Sequence, residues 1–177
     1  MSGRMVNTDY KIEAFGILLR EDCLSERYSP LVGKREELIS GLLRLGCRTK
    51  NDAAALPDGA LAEIGLESEE MIRLFRRFLT IYDPSPAKFR EIDKICTDPE
   101  EKEAYRELYY LPGVKAVRAA LYFRSGYRSM KDFTDTSAEE VLERTSRTIA
   151  ENGLTCIVPL PKEVRTHIAV AKAFTME

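Results

Sequence analysis

Apolar residues recur along this chain at the three- and four-residue spacing of an amphipathic helix, and no segment alternates apolar and polar residues over a useful length. The clearest apolar stripe follows Ser68 and consists of Met71, Leu74, Phe75 and Phe78. Serine is a residue type that caps helix N-termini, so the stripe begins where a helix is expected to begin. The pattern predicts an all-α protein built from short, capped helices.

Capping residues, prolines and glycines divide the chain into the predicted helices. These cover residues 10–20, 36–45, 49–56 and 58–64, a longer helix after 68, then 86–95, 98–111, 115–125, a short helix after 129, 137–152 and a last helix from 161. In the helix 115–125, the spacing places Ala116, Ala119, Ala120 and Phe123 on one face and Lys115, Arg118 and Tyr122 on the other. A basic ridge beside the stripe after Ser68 consists of Arg73, Arg76 and Arg77. Because Glu69 and Arg73 have the i, i+4 spacing of a helical ion pair, we expect the ridge to be a self-neutralised surface.

Two stretches of the chain correspond at a constant offset of 80 residues. Residues 31–53 read LVGKREELISGLLRLGCRTKNDA, and residues 111–133 read LPGVKAVRAALYFRSGYRSMKDF. The matched positions include Gly33 with Gly113, Gly46 with Gly126, Thr49 with Ser129, and Asp52 with Asp132. Glycine stops and caps shared at one offset indicate an internal repeat. We therefore predict two tandem copies of one helical unit, residues 11–95 and 99–175, packed as one compact unit.

The run Leu111-Pro112-Gly113-Val114, followed by Ala119 and closed by Gly126-Tyr127-Arg128-Ser129, resembles the helix-hairpin-helix pattern. The glycine, cap and short helix that follow are similar to domains of the sterile-alpha-motif-like (SAM-like) class. Residues 42–79 are loosely similar in rhythm to the C-terminal domain of the bacterial RNA polymerase alpha subunit. The resemblance implies that hairpin amides and a helix N-terminus hold a DNA phosphate, with nearby lysines adding attraction. Lys115 replaces the second glycine of the family pattern, and Gly33-Lys34-Arg35 lacks both that glycine and the middle hydrophobe.

The resemblance assigns DNA contact to residues of both hairpins and of the helix after the second. They are Gly113, Val114, Lys115, Arg118, Arg124 and Arg128 in the second copy and Gly33, Lys34 and Arg35 in the first. Positive charge concentrates in the same stretches: residues 111–133 hold five basic residues and one acidic residue, although the whole chain has a net charge of -2. The alternative is that these side chains lie on solvated helix faces and pair with acids such as Glu101 and Glu107.

Composition excludes several classes of protein. A balance of 27 basic and 29 acidic residues leaves no global charge for non-specific nucleic-acid binding. The longest uncharged run has ten residues, 152–161, too short for a membrane span, and the N-terminus carries no signal-like apolar segment. Four scattered cysteines and one histidine do not form a zinc motif. We expect reduced, mostly buried cysteines in a cytoplasmic protein, a disulfide framework being the alternative.

No catalytic constellation assembles from the sequence. Base-excision glycosylases carry a similar hairpin, but Val117 stands where their lysine nucleophile is expected, and Asp135 is explained as a loop residue. His167, between Val164 and Ile168, is expected to be a packed histidine. We therefore expect a non-catalytic binding module without cofactor or metal, which contacts DNA weakly and without sequence preference. The alternative is a protein-protein interaction or scaffold module whose hairpins are structural remnants.

Overall fold

The protein is helical throughout the part that its computed structural model describes, residues 6–177. Helices make up 63% of the structure and these residues form no strand, which confirms the all-α prediction. Apart from a few terminal residues, the chain divides into two compact units, the N-terminal unit Asn7–Asp83 and the C-terminal unit Pro84–Thr175. None of the helices formed by residues 6–177 has the length and apolar character that spanning a membrane requires.

The N-terminal unit is built around α6, the helix whose apolar stripe the sequence singled out. Its helices are α1 (Phe15–Leu18), α2 (Ser29–Val32), α3 (Arg35–Arg44), α4 (Lys50–Ala54), α5 (Asp58–Glu63) and α6 (Glu69–Thr80). The face of α6 that enters the core carries Ile72, Phe75, Phe78 and Leu79. The ring of Phe15 packs edge-on against Phe75 and Phe78, with centroids 6.1 and 5.3 Å away. The predicted stripe is therefore right for the two phenylalanines, whereas Met71 and Leu74 lie half-exposed at its edge.

Residues 10–20 do not form the single helix that was predicted. The structure has a 3-10 turn at Ile12–Ala14 followed by the single turn of α1. The start of the segment is tethered instead to the chain before α4, because Ile12 N–H donates to the Arg48 carbonyl at 3.0 Å and Lys50 N–H donates to the Tyr10 carbonyl at 2.9 Å. These bonds hold the backbone extended at Lys11, where the predicted helix would have begun.

The C-terminal unit is organised around its last helix. Its helices are α7 (Pro86–Arg90), α8 (Ile92–Ile95), α9 (Pro99–Leu108), α10 (Ala116–Arg124), α11 (Met130–Thr134), α12 (Ala138–Asn152) and α13 (Pro161–Phe174). Helix α13 is buried along most of its length and packs against α11 and α12. The repeat assigned residues 84–95 to its first copy, but the structure packs them with α9. Lys88 Nζ donates to the Leu111 carbonyl at 3.2 Å, and the Tyr109 hydroxyl donates to Glu91 at 2.6 Å.

The middle of each unit shows the same local construction at the predicted offset. Thr49 and Ser129 each form a capping box, with Asp52 and Asp132 as the reciprocal partners. Each aspartate also accepts a hydrogen bond of 2.8 Å from the backbone N–H four residues before it, that of Arg48 or Arg128. The backbone N–H groups of Arg48 and Thr49 lower the pKa of Asp52 below its ordinary value. The preceding glycines, Gly46 and Gly126, have φ of 87° and 93°. A duplication of the complete units stays a prediction.

Removing either cap hydroxyl is expected to have the same energetic effect. Thr49→Ala and Ser129→Ala should each lower the free energy of unfolding by about 1 kcal/mol, because each change removes the side-chain oxygen that accepts from a helix N–H group. Urea unfolding of both variants measures the loss. Ser40→Ala and Ser146→Ala, at exposed positions within α3 and α12, are matched controls with no expected loss. A loss at only one of the two caps contradicts the local equivalence.

Candidate functional site

The second hairpin, residues 111–115, turns the chain from α9 into α10. Gly113 is exposed and has a φ of 73°, in the left-handed region where a residue with a Cβ pays roughly 1–2 kcal/mol. Val114 is fully buried beneath the turn, and its N–H donates to the Leu111 carbonyl at 3.2 Å. Lys115 occupies the N-cap position of α10 without giving the helix a side-chain cap. The corner is thus anchored by one apolar side chain and leaves its glycine open to solvent.

The hairpin groove is the concave surface beside this corner, with a volume of about 570 Å³. Its lining consists of residues of the hairpin and the start of α10, together with residues of three other segments: Gly113, Lys115, Ala116, Val117, Arg118, Glu91, Cys156, Ile157 and Glu163. Within residues 6–177, no oxygen accepts a hydrogen bond from the backbone N–H groups of Ala116, Val117 or Arg118. These are the donors that the first turn of a helix leaves without an intrahelical partner. The groove therefore presents backbone donors at the positive end of a helix dipole.

Two lysines add positive charge at the corner. Lys115 is exposed, whereas Lys88 is half-buried with its ammonium 5.6 Å from the centre of the Tyr109 ring. Burial lowers the pKa of Lys88, the positive charge of Lys115 lowers it further, and Glu91 opposes both effects. The effect of Lys115 on Lys88 indicates that the two ammonium groups lie near each other. An anion bound there relieves this like-charge repulsion.

The arginines after the hairpin are mostly paired within the chain. Arg118 Nε lies 2.9 Å from Glu163, and its Nη1 donates to the Ile157 carbonyl at 3.0 Å. Arg128 forms an ion pair of 2.8 Å with Glu100, and its guanidinium lies 4.4 Å from the centre of the Phe123 ring. Arg124 is exposed and forms no ion pair with another described residue. Two of the three arginines, Arg118 and Arg128, are therefore paired with acids, as the alternative interpretation predicted. Their partners are Glu163 and Glu100, not Glu101 and Glu107.

The first predicted hairpin, residues 31–35, differs from the second in its backbone conformation. Gly33 has a φ of -65° and ends α2, its N–H donating to the Ser29 carbonyl at 3.1 Å. A helical φ needs no glycine, and a Cβ there would meet its nearest atoms at 3.8 Å. Arg35 Nη1 donates to the Leu19 carbonyl at 3.2 Å, and Lys34 lies 3.9 Å from Glu37. The chain passes almost directly from α2 into α3, so Gly33, Lys34 and Arg35 form a helical turn without an open corner.

His167 is the residue beneath the second hairpin whose role the sequence did not indicate. It is buried, as predicted for a packed histidine, and its ring joins two elements. Nε2–H donates to the Pro112 carbonyl at 2.8 Å, and Nδ1 accepts from the Tyr122 hydroxyl at 2.7 Å. A carbonyl can only accept, which fixes the tautomer. Burial lowers the pKa of His167 to about 4, so the ring is neutral near pH 7 and holds the residue before Gly113 in place.

Tyr122 was predicted on the same face of α10 as Lys115 and Arg118, but unlike them it is fully buried. Its hydroxyl needs a partner in the interior, and His167 supplies the acceptor. The two residues are 45 positions apart in the chain, so helical periodicity alone could not connect them.

Cysteine and metal chemistry add no further site. All four cysteines are free thiols, and three of them are buried, as expected. Among residues 6–177, no His, Cys, Asp or Glu side chains gather in a group of three or more that suits a metal ion.

Comparisons of this chain with protein-family models, with curated proteins and with solved structures find no match.

Proposed function

We propose that the C-terminal unit binds the phosphate backbone of DNA at the hairpin groove, without sequence preference. The observation that carries the proposal is the uncapped start of α10 beside the exposed, left-handed Gly113. Backbone N–H groups without acceptors at a helix N-terminus form an anion site, and a glycine allows a phosphate to approach the backbone closely. Lys115 supplies positive charge at the groove, and the half-buried Lys88 lies near enough for the charge of Lys115 to lower its pKa.

The expected binding is weak because few groups can contact phosphate. Glu91 and Glu163 line the same groove, and Arg118 is already engaged by Glu163. The turn at Gly33 has no exposed left-handed corner, so the proposal assigns no contact to it. Neutralising one or two phosphates gives a salt dependence with a log–log slope of only about -1 to -2.

Reversing one charge at the groove tests the proposal. Fluorescence anisotropy with a labelled duplex at low salt is expected to show binding by the full chain and at least tenfold weaker binding by Lys115→Glu, which puts a carboxylate beside the phosphate. Lys172→Glu is the control, since it makes the same change in net charge at an exposed lysine of α13. Absence of binding at the lowest salt, or an equal loss in both variants, overturns the proposal.

A protein partner is the second candidate, favoured by apolar side chains at the same groove. Val117 is 67% exposed and Ile157 is 80% exposed, and both line it. Phosphate does not contact such side chains favourably, whereas the apolar centre of a protein interface does. Val117→Ser with Ile157→Ser is expected to leave duplex binding unchanged if the groove serves DNA. If the chain does not bind DNA, loss of a protein complex in this double variant identifies the second candidate.

A further inference from the structure

We infer that the N-terminal unit carries a docking groove for an acidic peptide that places an apolar side chain between its carboxylates. The arginine groove is the concave surface between residues 27–30 and α6, with a volume of about 520 Å³. Its charged walls are Arg27, Arg73 and Arg77, and its apolar floor is formed by Pro30, Met71 and Leu74. It lies in a different unit from the hairpin groove, so the inference does not depend on DNA binding.

The positive charge of the arginine groove is largely uncompensated. Neither Arg27 nor Arg77 forms an ion pair or a side-chain hydrogen bond with another residue of the described chain. Arg73 lies 3.6 Å from Glu69, but both side chains are more than three-quarters exposed, and such a pair contributes little. Glu70 is the acidic residue that lines the groove. Because Arg73 pairs only weakly with Glu69, and Arg27 and Arg77 have no acidic partner among the described residues, the groove favours an anionic partner.

Arg76 shows what a structural arginine on the same helix looks like. It forms an ion pair of 2.6 Å with Asp58 and donates to the carbonyls of Ala54 and Leu56 at 3.2 and 2.9 Å. The predicted self-neutralised ridge therefore splits into one arginine that ties α6 to the chain between α4 and α5, and two that border the groove. Arg76 thus holds α6 to the rest of the N-terminal unit, whereas the guanidinium of Arg77 is available to bind a partner.

The apolar floor determines which kind of anion fits. Met71 and Leu74 are half-exposed on α6, although the other apolar residues of that helix enter the core. Methionine adapts its shape to an apolar side chain of a partner, which suits a peptide and gives no advantage to a free phosphate or a nucleic-acid backbone. An apolar anchor flanked by carboxylates matches both the floor and the walls.

The test uses a panel of labelled peptides in which one leucine, isoleucine or phenylalanine stands between paired glutamates. Anisotropy is expected to show binding of at least one panel member to the full chain, with at least tenfold weaker binding to Arg27→Glu and to Arg77→Glu. Arg165→Glu, at an exposed arginine of α13, makes the same change in net charge and is expected to bind like the unmodified chain. Leu74→Ser is expected to weaken binding of the apolar peptides more than binding of a serine-for-apolar counterpart.

Several results would overturn the inference. If no peptide of the panel binds, the inference is wrong. If Arg165→Glu weakens binding as much as Arg27→Glu and Arg77→Glu do, the loss comes from the net charge of the chain and not from the arginine groove. Binding of a labelled oligonucleotide that Arg77→Glu abolishes, without peptide binding, assigns the arginines to nucleic acid instead. Thermal melts of each variant by circular dichroism test for unfolding, which the changes at the exposed arginines are not expected to cause.

Discussion

Lowering the pH from 7 to 4 is expected to destabilise the C-terminal unit by about 3 kcal/mol through His167 alone. Burial disfavours the imidazolium, and the positive charges of Arg118 and Lys88 add to that effect, while the Pro112 carbonyl and Glu163 oppose it. The unfolded chain takes up the proton near the ordinary pKa of 6.5, whereas the folded unit takes it up only near 4. The contribution of the neutral ring is therefore complete above the unfolded pKa and is lost as the pH falls from there to the folded pKa.

Because the chain contains a single histidine, the pKa of His167 can be measured without overlap from other imidazoles. Proton–carbon correlation spectra of the folded protein contain a single imidazole, whose midpoint is expected near pH 4. Urea unfolding at pH 7 and pH 4 gives the stability change, and His167→Gln, which can still donate and accept, serves as control because the carboxylates titrate in both proteins. The unmodified chain should lose about 3 kcal/mol more than the variant between the two pH values. A midpoint near 6.5 would contradict the prediction.

The same hydrogen bond connects acid stability to the proposed site. His167 holds the Pro112 carbonyl, and the next residue is the left-handed Gly113. A proton on Nδ1 removes the acceptor of the Tyr122 hydroxyl and places a charge in the interior beneath the corner. Protonation of His167 is therefore expected to loosen the second hairpin. The N-terminal unit does not contain this residue and is not expected to respond to its protonation.

Local chemistry made part of the fold predictable from the sequence. A capping box involves side chains and N–H groups only three residues apart. The sequence around Thr49 and Ser129 is therefore enough to predict where α4 and α11 begin. Gly46 and Gly126, which the sequence predicted as helix stops, have the positive φ that commonly ends a helix. These features do not depend on the remainder of the chain, and the structure places them where the sequence did.

Tertiary pairings were not predictable in the same way. Arg118 meets Glu163 across 45 positions, and His167 meets Pro112 across 55, so neither partner is indicated by helical spacing. Gly33 looked equivalent to Gly113 because the flanking residues match, but a glycine permits a left-handed conformation without requiring it. Net charge along a stretch likewise does not show which arginines are neutralised by acids from another helix. The candidate sites were therefore identified from tertiary contacts, whereas most helices were predictable from the sequence.

Gly41→Ala is expected to lower the free energy of unfolding by about 1–3 kcal/mol, the cost of overpacking a close contact. A Cβ at this position of α3 would lie 2.6 Å from the Cβ and 2.7 Å from the Cγ2 of Ile64. Ile64 is buried, and its Cβ is fixed to the backbone, so rotation of the side chain cannot relieve the contact. The backbones of α3 and of the residue that ends α5 would have to separate.

The sign of this effect distinguishes close approach from helix propensity. In a helix without such a contact, replacing glycine by alanine raises stability by roughly 0.5–1 kcal/mol. Gly59 in α5 is the matched control, because a Cβ there meets nothing within 4 Å. Urea unfolding should therefore show Gly59→Ala more stable and Gly41→Ala less stable than the unmodified chain. Two variants of equal stability would mean that α3 and Ile64 separate freely, and the close packing of α3 against the end of α5 would then not hold the N-terminal unit together.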